Sequence, residues 1–320
     1  MLPKEIGMKI ETIGTPALWI GFVAFVLAML ALDLGVFHRK AHAVGIRESA
    51  VWTGVWIALA LLFNLGVYIG FGPQHGLEFL TGYLIEKALS VDNLFVFLVL
   101  FSYFAVPAQF QHRVLLWGIL GALIMRAIFI VAGTALIQQF HWVMYVFGAF
   151  LVFTGFRLLI QKQAEVEPER NSVVRLSRRF IRAIPYYRSA RFFVQEAGKW
   201  HATPLVTVLV AVELSDVLFA VDSIPAIFAI TTDPFIVFTS NIFAILGLRA
   251  LYFLLAGLMG RFRYLKVGLG LVLAFVGVKM LIADIRPVPI TLSLGIIGAL
   301  LGLSVAASLL FPEKPPPEDL

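Results

Sequence analysis

Nine apolar runs follow one another along this chain, at about residues 17–37, 50–71, 77–104, 113–137, 142–160, 203–230, 235–257, 265–284 and 289–311. Each is about as long as a helix needs to be to cross a bilayer. No other feature limits the fold so strongly. Inside hydrocarbon every backbone N–H and C=O must find a partner within the protein, and apolar runs of this length do so as α-helices. The expectation is an all-α polytopic membrane protein with about nine transmembrane helices. Composition agrees, since 60% of residues are hydrophobic and 14% charged. An ordinary soluble domain is excluded.

Lysine and arginine report how the spans are threaded. Taking alternate loops, one side carries Arg39, Lys40 and Arg47, then Arg113, nine basic residues between 161 and 202, then Arg261, Arg263, Lys266 and finally Lys314. The other side carries only Lys4, Lys9 and Arg286. By the positive-inside rule the N-terminus is expected outside and the C-terminus in the cytoplasm. The net charge of +6 therefore reads as topology, and no nucleic-acid partner is expected. A cleavable signal peptide is not expected either, because Lys4, Glu5, Lys9 and Glu11 lead directly into a full-length span. Residues 161–202 read as a cytoplasmic basic loop, suited to an interfacial amphipathic helix on anionic lipid. Residues 312–320 read as a proline-rich disordered tail.

Against this apolar background stands Glu213-Leu-Ser-Asp216-Val-Leu-Phe-Ala-Val-Asp222-Ser-Ile-Pro225, with three carboxylates at membrane depth. Each costs about 3 kcal/mol at the centre of a span unless it finds a partner or a wet cavity. Glu213 and Asp216 share one helix face. Asp222 lies about 120° round from Asp216 on an ideal helix. Pro225 removes a hydrogen bond to Val221. A bend there is expected to turn Asp222 toward the same space.

The chain also resembles itself. Glu86-Lys-Ala-Leu-Ser-Val-Asp92-Asn93 aligns with Asp216-Val-Leu-Phe-Ala-Val-Asp222-Ser223, acid over acid. Met125-Arg126-Ala-Ile-Phe129 aligns with Leu248-Arg249-Ala-Leu-Tyr252, and Val152 through Ile160 with Ala274 through Ile282. Each copy holds three spans, so the second must enter from the opposite side, giving an inverted three-helix repeat with a site at the midplane. The expected divisions are 1–76, two N-terminal spans; 77–160, the first repeat; 161–202, the loop; 203–284, the second repeat; 285–311, the last span; and 312–320, the tail.

Glu86, Asp92, Glu213, Asp216 and Asp222 are the candidate ligands. Lys87, Arg126 and Arg249 balance charge beside them, and Asn93 and Ser223 add polar support. Five negative charges against three positive leave minus two, which one divalent cation neutralises. The chain has no cysteine, and its six histidines fall at span ends or in loops. A site of oxygen donors alone suits a hard cation.

These residues resemble the TerC family of bacterial membrane proteins, nearest its Alx-type members, over about Leu18 to Leu310. The resemblance rests on Gly82 through Phe97, on Glu213 through Pro225, and on Phe238-Thr-Ser-Asn241-Ile-Phe-Ala-Ile-Leu-Gly-Leu-Arg249, which adds Asn241 to the supporting polar residues. It places the chain among the LysE-like transporters and implies manganese export from a bacterial cytoplasmic (inner) membrane. The residues themselves prefer a hard divalent cation without separating Mn²⁺ from Mg²⁺ or Ca²⁺. The expected function is a secondary transporter exporting that cation, with Mn²⁺ first, in exchange for protons that compete for the same carboxylates. Its partners are the metal ion substrate and the lipid bilayer; no resident cofactor is expected, and the sequence leaves protein partners open. Two alternatives stand beside it. One is a membrane scaffold in a tellurium-associated stress response, and the other an intramembrane hydrolase using Asp92 and Asp222. The expectation is no enzyme.

Overall fold

A computed structural model of the 320-residue chain describes residues 12–35, 45–140, 142–160, 184, 186–188, 191–196, 199–256 and 264–311. The side chains of residues 32–35, 92 and 196 are outside that description. The proposed tail and most of the 161–202 loop lie outside the described residues.

Ten helices and one small hairpin make up the described residues: α1 Pro16–Gly35, α2 Ile46–Phe71, α3 Pro73–Tyr103, α4 Ala108–Gln139, α5 Val143–Ile160, β1 Phe193–Glu196, β2 Lys199–Ala202, α6 Pro204–Phe228, α7 Pro234–Leu246, α8 Leu248–Ala256, α9 Leu265–Leu281 and α10 Ile290–Leu310. Each apolar run is helical, and the seventh is divided in two at Gly247. Six are long and apolar enough to cross a membrane by length and composition: α2, α4, α5, α6, the α7–α8 run and α10. α3 is long enough but carries Glu78, Glu86, Lys87 and Asp92, while α9 has 17 residues.

Local chemistry sets the boundaries. Pro73, Pro204 and Pro234 open α3, α6 and α7, where a missing N–H costs nothing. α2 and α3 are joined through Gly72 alone, at φ 99, a conformation that glycine adopts without a Cβ penalty. Asp233 caps α7 by accepting from Phe235 N and Ile236 N. It also accepts from Thr12 Oγ1 and Ile13 N, each at 2.8 Å, which ties the chain before α1 to the bundle.

The described end of the basic loop is not an amphipathic helix. It is an antiparallel hairpin pairing Val194 with His201 and Gln195 with Trp200. Phe193, Val194 and Trp200 are residue types that favour strands, and Val194 is buried between exposed Phe193 and Gln195. Phe192, immediately before the hairpin, packs on α4, with the Arg113 guanidinium 5.7 Å from its ring and the Trp117 ring 6.4 Å away. Tyr187 Oη also donates to Phe104 O at 2.6 Å. Burial raises the Tyr187 hydroxyl to about pKa 12 and keeps it a donor.

α7 is buried along nearly its whole length. A cluster of rings from Phe22, Phe63, Phe79, Phe235 and Phe243 covers one side of it, with the closest centroids 4.9 Å apart. The segments matched in sequence pack reciprocally: α3 lies against α7, and α4 against α6. The tightest seam joins α5 to α9, the third helices of the two matched segments. A Cβ on Gly155 would lie 2.6 Å from Gly270 O and 2.7 Å from Ala274 N. One on Gly277 would lie 2.7 Å from Gly148 O and from Val152 N. Under the sequence alignment Gly155 matches Gly277, Gly148 matches Gly270, and Val152 matches Ala274. The same contact is thus made twice with roles exchanged, across an antiparallel pair, as an isologous interface requires.

Candidate functional site

Arg126 is the largest fully buried side chain among the described residues. It stands in the middle of α4, and three other helices converge on it. Its Nη1 donates to Glu86 Oε1 of α3, to Asn241 Oδ1 of α7 at 3.0 Å and to Ser223 Oγ of α6 at 3.3 Å. Its Nη2 lies 3.5 Å from Asp216 Oδ1 of α6. A guanidinium suits this position because it offers five donors in a fixed plane and stays charged in an apolar interior.

The network is only half satisfied. Among the described residues Glu86 Oε2, Asp216 Oδ2, Asn241 Nδ2 and Arg126 Nε are buried without a hydrogen-bond partner, as are Tyr83 Oη and Ser90 Oγ of α3. Each such group costs about 1–3 kcal/mol. The open valences of Glu86, Asp216 and Asn241, all three around Arg126, make this the candidate binding locus. A cavity of about 20 Å³, lined by Gly118, Ala122, Val212, Asp216 and Leu248, adjoins Asp216. That is room for one water-sized guest.

Glu213 and Asp222 have neighbours other than Arg126. Glu213 sits one turn before Asp216, half-buried, with its carboxylate pressed against Gly121 of α4, where any Cβ would collide with it. Asp222 is half-exposed and receives Thr154 Oγ1 of α5 at 3.4 Å. α6 stays helical through Pro225, which falls in its last turn. Asp92 lies on α3, and its side chain is among those not described. Among the described residues no three Asp, Glu or His side chains form a metal cage. Among the described side chains, Glu86 and Asp216 are the two acids that meet at Arg126.

Of the supporting residues, Asn241 and Ser223 touch Arg126 directly. Asn93 is buried. Arg249, the sequence match of Arg126, places Nη1 2.8 Å from His112 Nε2 on α4. Lys87 donates to Ala244 O of α7 at 3.2 Å. Sequence reasoning passed over Glu78, which is buried near the start of α3. It accepts from Gln74 Nε2 at 2.7 Å and Thr231 Oγ1 at 2.9 Å. Its spacing of eight from Glu86 puts both on nearly one face of α3, a signal that was legible.

Comparison with known proteins gives a consistent result. The model for the integral membrane protein TerC family matches residues 71–315. An uncharacterised membrane protein of Myxococcus xanthus is 57% identical over 308 residues, covering 96% of this chain and 97% of its own. The Alx protein of Escherichia coli K12, described as a proposed membrane-bound redox modulator, is 52% identical over 300 residues, covering 91% and 94%. A Rickettsia felis membrane protein is 40% identical over 292 residues, covering 91% and 97%. No solved structure matches the chain.

Proposed function

The chain belongs to the TerC family of integral membrane proteins, and from that premise we propose that it is a secondary transporter exporting a divalent cation, Mn²⁺ first. One observation carries the reading. Matched helices of the two repeats, α3 and α6, each bring a carboxylate to the same buried arginine, and each carboxylate keeps one oxygen unpaired. Those oxygens, with the Asn241 and Ser223 side chains nearby, are hard donors suited to Mn²⁺.

In this reading Arg126 stands in for the substrate while the site is empty of it. A guanidinium between two carboxylates leaves that core at minus one, which avoids two unpaired buried charges. A divalent cation competes with Arg126 for the same oxygens. Glu213, Asp222 and Asp92 then serve as further ligands or as stations on the path. Protons compete in the same way, which supports exchange of metal for protons. Access alternates as one repeat rocks against the other, with the α5–α9 seam between them. The orientation proposed from the basic loops is N-terminus outside and C-terminus in the cytoplasm of a bacterial inner membrane.

The redox description belongs to the Alx relatives. This chain has no cysteine, so redox influence through its own thiols is closed, whereas cation export needs none.

Mn²⁺ uptake into inside-out vesicles tests it. Glu86→Gln and Asp216→Asn, expressed at wild-type level, are each expected to lose at least tenfold in initial rate. Wild-type rates in both, or a wild-type rate no higher than that of empty membranes, would remove the transport reading and favour a scaffold.

A further inference from the structure

The α7–α8 run is interrupted at a point that the rest of the site does not explain. α7 ends at Leu246, and Gly247 turns its N–H to Ile245 O before α8 resumes at Leu248. The corresponding point of the first repeat, aligned through Arg126 and Arg249, is Ile124. There α4 runs unbroken from Ala108 to Gln139. The interruption therefore belongs to one repeat only.

So does the group that meets it. Lys87 Nζ donates to Ala244 O, one of the last four carbonyls of α7, which have no partner within the helix. Among the described residues this carbonyl is its hydrogen-bond partner, and no carboxylate lies within ion-pair distance. Aligned through Glu86 and Asp216, the residue matching Lys87 is Val217. A Cβ on Gly247 would lie 2.7 Å from Nζ and 3.2 Å from Trp56 Cβ. Glycine thus leaves the space that the ammonium enters. Ala244 and Trp56 are both buried, so the contact is shielded from water.

A helix C-terminus carries about half a negative charge, and burial makes it stronger. Carbonyl ends of interrupted membrane helices are places where small cations are coordinated. We propose that the carbonyl end of α7 at the Gly247 break is a monovalent-cation subsite, filled from within the chain by the Lys87 ammonium. Lys87 is then a positioning residue. By holding the break it sets the rotation of α7, which presents Asn241 to Arg126, and the entry of α8, which carries Arg249. The subsite does not depend on what the protein transports.

The test is chemical rescue of the purified full-length protein in detergent, at constant ionic strength. Lys87→Ala is expected to lower the melting midpoint by several degrees. Methylammonium, which restores the deleted end of the side chain, should recover at least half of that loss at tens of millimolar. Choline, too large for the space, should recover none, and neither should move the wild type. Lys87→Arg should retain most of the midpoint. A midpoint for Lys87→Ala equal to wild type, or equal effects of methylammonium on both proteins, overturns the proposal. If Lys87→Ala does not fold, Gly247→Ala decides, since its Cβ displaces the ammonium. It should melt well below Gly298→Ala, whose Cβ meets nothing within 4 Å. Equal melting of those two also overturns it.

Discussion

Substituting alanine at either end of the α5–α9 seam isolates the contact that joins the two matched segments. In Gly155→Ala the new Cβ starts 2.6 Å from Gly270 O and 2.7 Å from Ala274 N, and ordinary contact begins at 3.4 Å. Both neighbours are backbone, so no side chain can swing aside and the helices must part by about 0.8 Å. A gap of that size forfeits a quarter to a half of each contact across the seam. Taking about 40 contacts at about 0.15 kcal/mol each, losing a third comes to about 2 kcal/mol. Overpacking commonly costs about 1–3 kcal/mol, which agrees. Gly298→Ala serves as the control, because it gains the same helix propensity without a collision. Thermal melting in detergent should place Gly155→Ala roughly 4–8 °C below that control, toward the smaller figure for a chain of this length. Gly277→Ala starts from 2.7 Å and should fall by nearly the same amount. Seam variants that melt with the control would refute the packing argument. A large loss at one glycine and none at the other would refute the reciprocity.

Other consequences can be checked separately. In Mn²⁺ efflux the double variant Glu86→Gln/Asp216→Asn should be little worse than either single one, since groups acting on one arginine fail as a unit; losses that multiply would mean two sites. Arg126→Met should lower stability by about 3–5 kcal/mol by stranding Glu86 and Asp216, and an unchanged melting midpoint would show that the network holds nothing together. Gly121→Ala should cut transport at least fivefold by pushing Glu213 off α4, with expression retained; wild-type transport would take Glu213 out of the path. A reporter active only outside the cytoplasm should signal after Phe71, Gln139 or Asp233 and stay silent after Arg178, Arg263 or Lys314, and a signal at Arg178 would reverse the proposed orientation.

Hydropathy acts on each segment separately, and for that reason the membrane class, the helical segments and the loop charges were all legible in the sequence. The cost of a carboxylate in hydrocarbon is likewise local, so Glu86, Glu213, Asp216 and Asp222 stood out before any fold was known. Which of them meet was not legible. Glu86 and Asp216 share Arg126, while Asp222 turns to Thr154 and Arg249 to His112. These outcomes depend on how each helix is rotated about its axis, and rotation is set by packing against other helices. The glycines of α5 and α9 are an example, since their spacing is visible in sequence but their partners are not. The Gly247 break depends on packing in the same way. Glycine alone does not end a membrane helix, and what makes the break tolerable is a lysine 160 positions earlier that satisfies the carbonyl it frees. Sequence determines what each segment must bury, and only tertiary contact determines what it is buried against.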